Sequence, residues 1–471
     1  MFIPLSLERD QPLQRQIYEQ LRDLILAGRM HGGARMPSSR MLAERLTVSR
    51  ITVLLTYERL IAEGLLETRP ASGTFVCAAP PAIHAEGGAH PSVDPAPELR
   101  AVAAPKVGRP DAALFPAGRW HKLMRGALDR LGAQVRADQL AGTAALRAAI
   151  AEWLSTSRGL AVAPEQVMLL GGRQQALHLV AHLTLRPGAR LVVEDPCDPD
   201  ATAALAGESS PPVRVPVDAD GLRIESLPDG PAALLHVTPE HQRPLGVVLE
   251  RARRPALLAW AERSGAMVLE EDCDGELRYG GTSNAALMSL DAAGRVILLG
   301  GFCLSLGPWL CLAYLVLPRR LIAPALAARR LLDDSHPSLE AAALAELLAS
   351  GEYARHLHRL SKTYAARRDA LVAALRQEFG PAGTIWGGQA GLHLAYTPPP
   401  RLGSASYLAT LARRSGLDAS TPPAETHARL PGGLPLLLGF GTLGEPQLAQ
   451  RMTAFAALAR ISGPDAALSA D

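Results

Sequence analysis

Three helix-length apolar patterns closed by a short two-strand ribbon, a proline-rich gap, and a long alternation of strand-like and Ala/Leu-rich runs predict a two-part molecule. The first part reads as a winged helix-turn-helix of α+β type. The second reads as an α/β domain with a mainly parallel sheet and a smaller C-terminal α+β subdomain. The chain's 471 residues leave room for about three domains of ordinary size.

The ribbon and helices come first. Leu13, Ile17, Leu21, Leu24 and Ile25 recur at helical spacing, and Gly28 stops that helix. Ser38 or Ser39 caps a short second helix through Leu46, and Thr47-Val48-Ser49 makes a tight turn. A third helix from about Arg50 is expected to turn Val53, Leu54, Tyr57, Leu60 and Ile61 inward and to end near Gly64. LLETRPASGTFV then supplies two strands with a turn at Ala71-Ser72-Gly73, so residues 1–77 form one unit. Residues 78–104 hold Pro80, Pro81, Pro91, Pro95 and Pro97 with few large apolar groups, the composition of a linker. The remaining domain, 105–471, divides into a large part over about 105–320 and a small part over about 340–460. Its strand-like runs are QVMLL, RLVVED, AALLHVT, AMVLEED, RVILLGG and LAYLVL, followed by GLHLAYT and LPLLLGF. Val296–Leu317 is free of charge for 22 residues, but Gly300, Gly301, Gly307 and Pro308 interrupt it. Two buried strands joined by a loop are expected there, not a membrane span.

Charge confines any nucleic-acid surface to a patch, because 48 basic against 46 acidic residues leave +2 overall. Only Lys106, Lys122 and Lys362 are lysines, so residues 123–361 contain no side-chain amine. Five cysteines, an odd number, fit a reducing compartment, and MFIPLSLERD lacks the basic and apolar blocks of a secretory leader. A cytoplasmic protein is expected. The local patch lies between residues 29 and 50, where Arg29, Arg35, Arg40, Arg45 and Arg50 face one acid, Glu44. It spans the second helix and the turn into the third, where a helix-turn-helix meets DNA. Guanidinium groups bind phosphate or guanine edges through two parallel hydrogen bonds. Ser38, Ser39, Ser49, Thr52 and Tyr57 offer hydroxyls to phosphates, and Arg69, Gly73 and Thr74 of the wing complete the candidate DNA-binding set. A solvated face on an ordinary helical bundle is the alternative on composition alone.

The wording of this segment decides between the two. PLQRQIYEQLRDLILAGRM followed by MPSSRMLAERLTVSRITVLLTYERLIAEGLLETRPASGTFV closely resembles the winged-helix domain of GntR-type bacterial repressors over about 70 residues. The resemblance implies operator contacts from Arg40, Arg50, Thr52 and Gly73, with Arg35 just upstream. From about residue 108 to 460 the chain resembles fold-type I aminotransferases, as fused to a GntR head in MocR-type regulators. The passages that carry this are GRPDAALFP, GGRQQALHLVAHL, VEDPCDPD, VTPEHQRPLG, EEDCDGELRYGG and GGFCLSLGPWLCLAYLV.

In that family pyridoxal phosphate needs a Schiff-base lysine, a carboxylate at the pyridinium nitrogen, a stacking ring, and hydroxyls with an arginine for the phosphate. The family pattern G-T-F-S-K-T-x-x-P-x-x-R-x-G-Y aligns with GGFCLSLGPWLCLAY. The resemblance therefore puts Leu304 at the lysine position, Cys311 at the phosphate arginine and Gly301 at a phosphate hydroxyl. Likewise E-D-D-Y-D has become EEDCD, with Glu271 at the pyridinium carboxylate and Cys273 at the ring-hydroxyl tyrosine. The stacking aromatic of D-P-G-Y has become Asp198, and T-S-G-x-Q-Q has become LGGRQQ. Ser361-Lys362-Thr363 mimics the lysine signature but sits in an arginine-rich helical run.

The remnant pocket expected from this match comprises Gly172, Arg173, Gln174, Asp198, His241, Gln242, Glu271, Cys273, Cys303, Leu304 and Cys311, with Gln175 beside it. No cofactor and no metal are expected, pyridoxal phosphate entering through the resemblance alone. Cys197, Cys273, Cys303 and Cys311 align beside this site. A soft-metal or redox role is one reading of them, with His241, Asp198 or Asp272 as neighbours, and small buried hydrophobes are the other. The reading that follows is a DNA-binding, homodimeric transcription regulator, not an enzyme, whose second domain serves dimerisation and sensing of a small-molecule effector. A pyridoxal-phosphate-dependent enzyme or sensor, and a constitutive DNA binder that senses nothing, are the alternatives.

Overall fold

The computed structural model describes residues 5, 7, 12–69, 72–77, 107–131, 140–207, 211–272, 274–280, 284–307, 310–332, 338–423, 426–427, 430 and 432–461. The chain divides into two compact units, Met1–Ala104 and Pro105–Asp471. The expected linker, 78–104, lies outside the described residues, as do Ala71 of the wing turn and Cys273.

In the first unit, α1 (Leu13–Leu26) buries Ile17, Tyr18, Leu21 and Ile25. The Ser38 side chain caps α2 (Ser39–Leu46) by accepting from the Met41 N–H at 3.2 Å. Thr47 ends α2 in the left-handed region, φ 54°, and Ser49 caps α3 (Arg50–Ala62) through the Ile51 N–H at 3.3 Å. These two caps fix the turn. The buried stripe of α3 is Val53, Thr56, Tyr57 and Leu60. Leu54, 43 % exposed, and Ile61, 36 % exposed, face outward, contrary to the expectation. Seven residues apart, they share a face set roughly 100° from the Val53–Leu60 stripe, and α1 and α2 cover only that stripe. β1 (Leu66–Arg69) and β2 (Gly73–Val76) pair antiparallel, Leu66 opposite Val76 and Arg69 opposite Gly73, and Arg35 adds a bridge to Phe75.

The second unit is built on an eight-stranded sheet. β3 is Val167–Leu170, β4 Leu191–Asp195, β5 Val213–Asp218, β6 Gly221–Leu222, β7 Leu234–Val237, β8 Met267–Asp272, β9 Val296–Gly301 and β10 Ala313–Val316, in the spatial order β3-β10-β9-β8-β7-β4-β5-β6. The five strands β9-β8-β7-β4-β5 run parallel. β3, β7 and β10 are buried along their whole length, as a sheet covered by helices on both faces requires. The parallel run ends at β10, which pairs antiparallel with both β9 and β3. Val296–Leu317 is thus two strands and a loop, since a connection this short joins antiparallel neighbours and not a parallel crossover. No helix of the described residues is long and apolar enough to cross a membrane.

A four-stranded antiparallel sheet, β11 (Thr384–Gly387), β12 (His393–Thr397), β14 (Leu436–Gly439) and β13 (Asp418–Ser420) in spatial order, forms the small subdomain. The helices Glu352–Phe379, Ala405–Arg414 and Glu445–Ile461 belong with it. β12 and β14 are the apolar runs picked out by sequence. β11 is half-exposed and β13 has three residues, so neither carries a readable alternation.

Candidate nucleic-acid interface and remnant cleft

On the winged helix, Arg35, Ser38, Arg40, Ser49, Arg50, Arg69 and Gly73 are exposed, and Ser39, Thr52 and Thr74 are half-buried. Arg50 Nε donates to Ser39 Oγ at 3.4 Å, which ties the first residue of α3 to the first of α2. Arg40, Ala43, Glu44, Thr47, Val48 and Arg50 line one depression at this junction. Arg40 pairs with Glu44 at 3.4 Å while both stay solvated, a contact of small energetic weight. Arg35 lies along the wing tip, its Nε 3.4 Å from where a Cβ on Gly73 would stand, and Gly73 has φ 110°. Glycine at this position therefore serves both the turn and the close approach. Arg69 is held within the wing by Glu67 and stacks over Phe75, guanidinium carbon 4.6 Å from the ring centre.

Tyr57 departs from its expected role. Its ring is 5 % exposed and its hydroxyl donates to the Pro37 carbonyl at 2.9 Å. It braces the P-S-S-R entry from inside and offers nothing to a phosphate. Ile51, 67 % exposed, and Leu55, 43 % exposed, were not singled out by sequence, although an apolar surface on a reading helix suits thymine methyl groups.

In the second unit the candidate residues gather where parallel strands end, the usual place for a ligand crevice. Glu271 stands near the end of β8, 1 % exposed. Arg173, the first residue of the helix Arg173–Thr184, grips it with Nε at 2.5 Å and Nη2 at 2.9 Å, and His236 Nε2 of β7 lies 2.9 Å from Oε2. The same Nη2 reaches Asp198 Oδ2 at 3.0 Å. Burial would raise the Glu271 carboxyl, but Arg173 and His236 overcome it and hold the group well below the usual carboxylate range. Asp198 meanwhile caps the helix Pro199–Ala206 through the Asp200 N–H at 2.9 Å. Gly172 packs against the Cys311 backbone, and a Cβ at that position would stand 3.2 Å from the Cys311 carbonyl oxygen. Gln175 accepts from the Gly171 N–H at 2.6 Å and from Arg329 at 2.8 Å, and the Gln174 carbonyl meets His178 Nδ1 at 2.8 Å. Leu304 packs half-buried against the main core, while Cys303 and Cys311 are exposed.

Two expected pocket residues prove to be interior. Gln242 is 1 % exposed, its amide donating to Glu194, Pro196 and Arg243 and accepting from the Leu245 N–H at 3.1 Å. His241 is 4 % exposed, bonded through Nδ1 to Asp274 Oδ2 at 2.9 Å and set edge-on to His393, ring centres 5.0 Å apart. Gly246 and Gly391 leave the room for that ring. Burial, then His241 and Arg243, push His393 down to about 3. Burial alone would raise Asp274, but Arg243 and His241 hold it low. Sequence reasoning did not single out Arg243 or Asp274, though both stand inside the VTPEHQRPLG and EEDCDGELRYGG passages. Of the Arg173–Asp198 bridge only the Asp198 half had a readable signal, an acid where the resemblance puts a stacking ring, for Arg173 falls on an unspecified position of its motif.

The winged helix and the helix-covered, mainly parallel sheet define a class, a helix-turn-helix regulator carrying an aminotransferase-like domain. Residues 13–76 match the bacterial regulatory proteins of the gntR family, and residues 136–408 match aminotransferase class I and II. The chain is 35 % identical to the probable rhizopine catabolism regulatory protein MocR of Rhizobium meliloti, over 83 % of this chain and 82 % of that protein. It is 34 % identical to the pyridoxine biosynthesis transcriptional regulator PdxR of Corynebacterium glutamicum, over 79 % and 81 %. The kynurenine aminotransferase of Pyrococcus horikoshii shares the fold at a TM-score of 0.68 and 21 % identity, covering 81 % of this chain and 98 % of that one. The chain belongs to the MocR-type regulators of the gntR family.

Proposed function

We propose that this regulator binds operator DNA as a cytoplasmic homodimer, and that its second domain serves dimerisation and effector sensing without Schiff-base chemistry. The observation that carries the second half is the Arg173 guanidinium on Glu271. The carboxylate that would answer a pyridinium nitrogen already has a cation on both oxygens and an imidazole on one. Leu304 offers a hydrocarbon at the family's lysine position, Cys311 a thiol at its phosphate arginine and Asp198 a carboxylate at its stacking ring. These residues do not fit pyridoxal phosphate, and no reaction step is assigned to it. The exposed arginines of α2, α3 and the wing support the first half, phosphates fixing the register and Arg50 standing at the head of the reading helix.

Visible spectra of the full-length protein mixed with pyridoxal phosphate, then borohydride reduction and peptide mass mapping, test the loss of chemistry. No reduced adduct within residues 105–471 is expected, and a stoichiometric one in the cleft would end the reading. Fluorescence anisotropy on operator DNA tests the interface. Arg50→Ala is expected to weaken binding by roughly 1–3 kcal/mol, and Arg35→Ala to lower the slope of log affinity against log salt by about one.

A further inference from the structure

The hairpin that carries Leu304 brings two cysteines together. β9 and β10 pair Gly301 with Ala313, and the Phe302 N–H donates to the Leu312 carbonyl at 3.1 Å. Cys303 and Cys311 come next along the two chains, just past the ends of β9 and β10. The chain begins to turn at Cys303, the Leu306 N–H donating to the Phe302 carbonyl at 2.8 Å, yet the two thiols remain within hydrogen-bonding reach of each other. Thiols in such contact meet the first requirement of a disulfide, whose Cα atoms stand roughly 4.4–6.8 Å apart.

The other described cysteines are placed differently. Cys197 is buried, bonded to Thr202 Oγ1 at 3.0 Å and to Arg214 Nη1 at 3.3 Å, and Cys77 is half-buried in the other unit. Cys303 and Cys311 are both exposed. Among the described residues no group of three or more His, Cys, Asp or Glu is placed to hold a metal ion. What two adjacent, solvent-reachable thiols do support is two-electron sulfur chemistry.

We propose that Cys303 and Cys311 form a dithiol modification site that a small disulfide oxidant, of which oxidised glutathione is the probe, converts to an intramolecular disulfide. One thiol loses its proton and attacks the oxidant's sulfur, breaking the S–S bond and releasing one glutathione thiolate. The second thiol, deprotonated in turn, attacks the mixed disulfide and releases the second glutathione. The protein gives up two electrons and two protons, and the oxidant leaves as two thiols. Partial desolvation of an otherwise exposed side chain, followed by the neighbouring thiol, pushes Cys303 up to about 11, so its conversion is slow at neutrality and quickens as pH rises. The site adjoins the Arg173 bridge, since Gly172 rests on the Cys311 backbone. It does not depend on the DNA-binding reading.

Both cysteines fall in one tryptic peptide, residues 296–319, which simplifies the readout. Full-length native protein is treated with excess oxidised glutathione in mildly alkaline buffer, alkylated, digested without reduction and weighed. The expected wild-type peptide is lighter than the reduced peptide by two hydrogens and takes up no alkyl group. Cys303→Ser and Cys311→Ser are each expected to carry one glutathione on the remaining thiol instead. A wild-type peptide that stays fully alkylated, one that carries two glutathiones, or a bond from either residue to Cys273 would overturn the proposal. The wild-type sample decides alone if a variant fails to fold.

Discussion

Glu276 shows how one half-buried side chain, desolvated at its carboxyl, shapes the pH response of the second unit. Burial pushes its carboxyl up to about 7, although hydrogen bonds from Tyr353 and from Trp153 Nε1, the latter at 3.0 Å, pull the other way. The folded protein therefore keeps a proton that the unfolded chain releases near 4.5. Stability is full below that value and falls as pH rises toward 7, by on the order of 3 kcal/mol. Glu276→Gln is expected to flatten this slope and to raise the melting temperature above neutrality, as melts across that range would read. Arg173 is the other decisive residue. Arg173→Ala strands Glu271 beside His236 and is expected to cost roughly 3 kcal/mol in urea unfolding of the second unit. The positions assigned to Leu304 and Cys311 rest on sequence alone, where a long motif aligns them. The burial of His241 and Gln242 was not legible there, since the first depends on Gly391 and His393 and the second on Glu194 and Pro196, which meet them only in the folded chain.

Turns and strand edges account for most of what was gained or missed among the elements. The cap of α2 was legible as one of two adjacent serines, since a hydroxyl ahead of an apolar helical pattern has few other uses, whereas Ser49 was read only as a turn residue and a phosphate donor. Thr47 was legible as a turn but not as a strained one, for its φ of 54° is rare in a β-branched residue. Thr47→Asn, which tolerates that region, is expected to stabilise the isolated transition of the first unit by about 0.5–1 kcal/mol in thermal melts. The outward faces of Leu54 and Ile61 escaped a reading based on apolar identity alone, because the packing that leaves them uncovered is decided by where α1 and α2 sit on α3. β11 and β13 escaped because short or half-exposed strands carry too little pattern.

For the molecule as a whole, the class was legible and the assembly was not, because no single chain displays its own partner. The homodimer proposed above predicts two chains per particle in sedimentation equilibrium. It also predicts an operator with paired half-sites, and scrambling one half should reduce affinity in mobility shifts. Leu304→Lys alone is expected to leave the protein without coenzyme absorbance, since Cys311, Gly301 and Asp198 stay as they are. The Arg173 bridge sets one further condition. Its guanidinium is the internal counter-ion of two carboxylates, one of them almost sealed from water. Any guest that displaces it must bring a positive charge of its own, or else leave that pair uncompensated. Electroneutrality thus favours cationic visitors to this cleft before shape has any say.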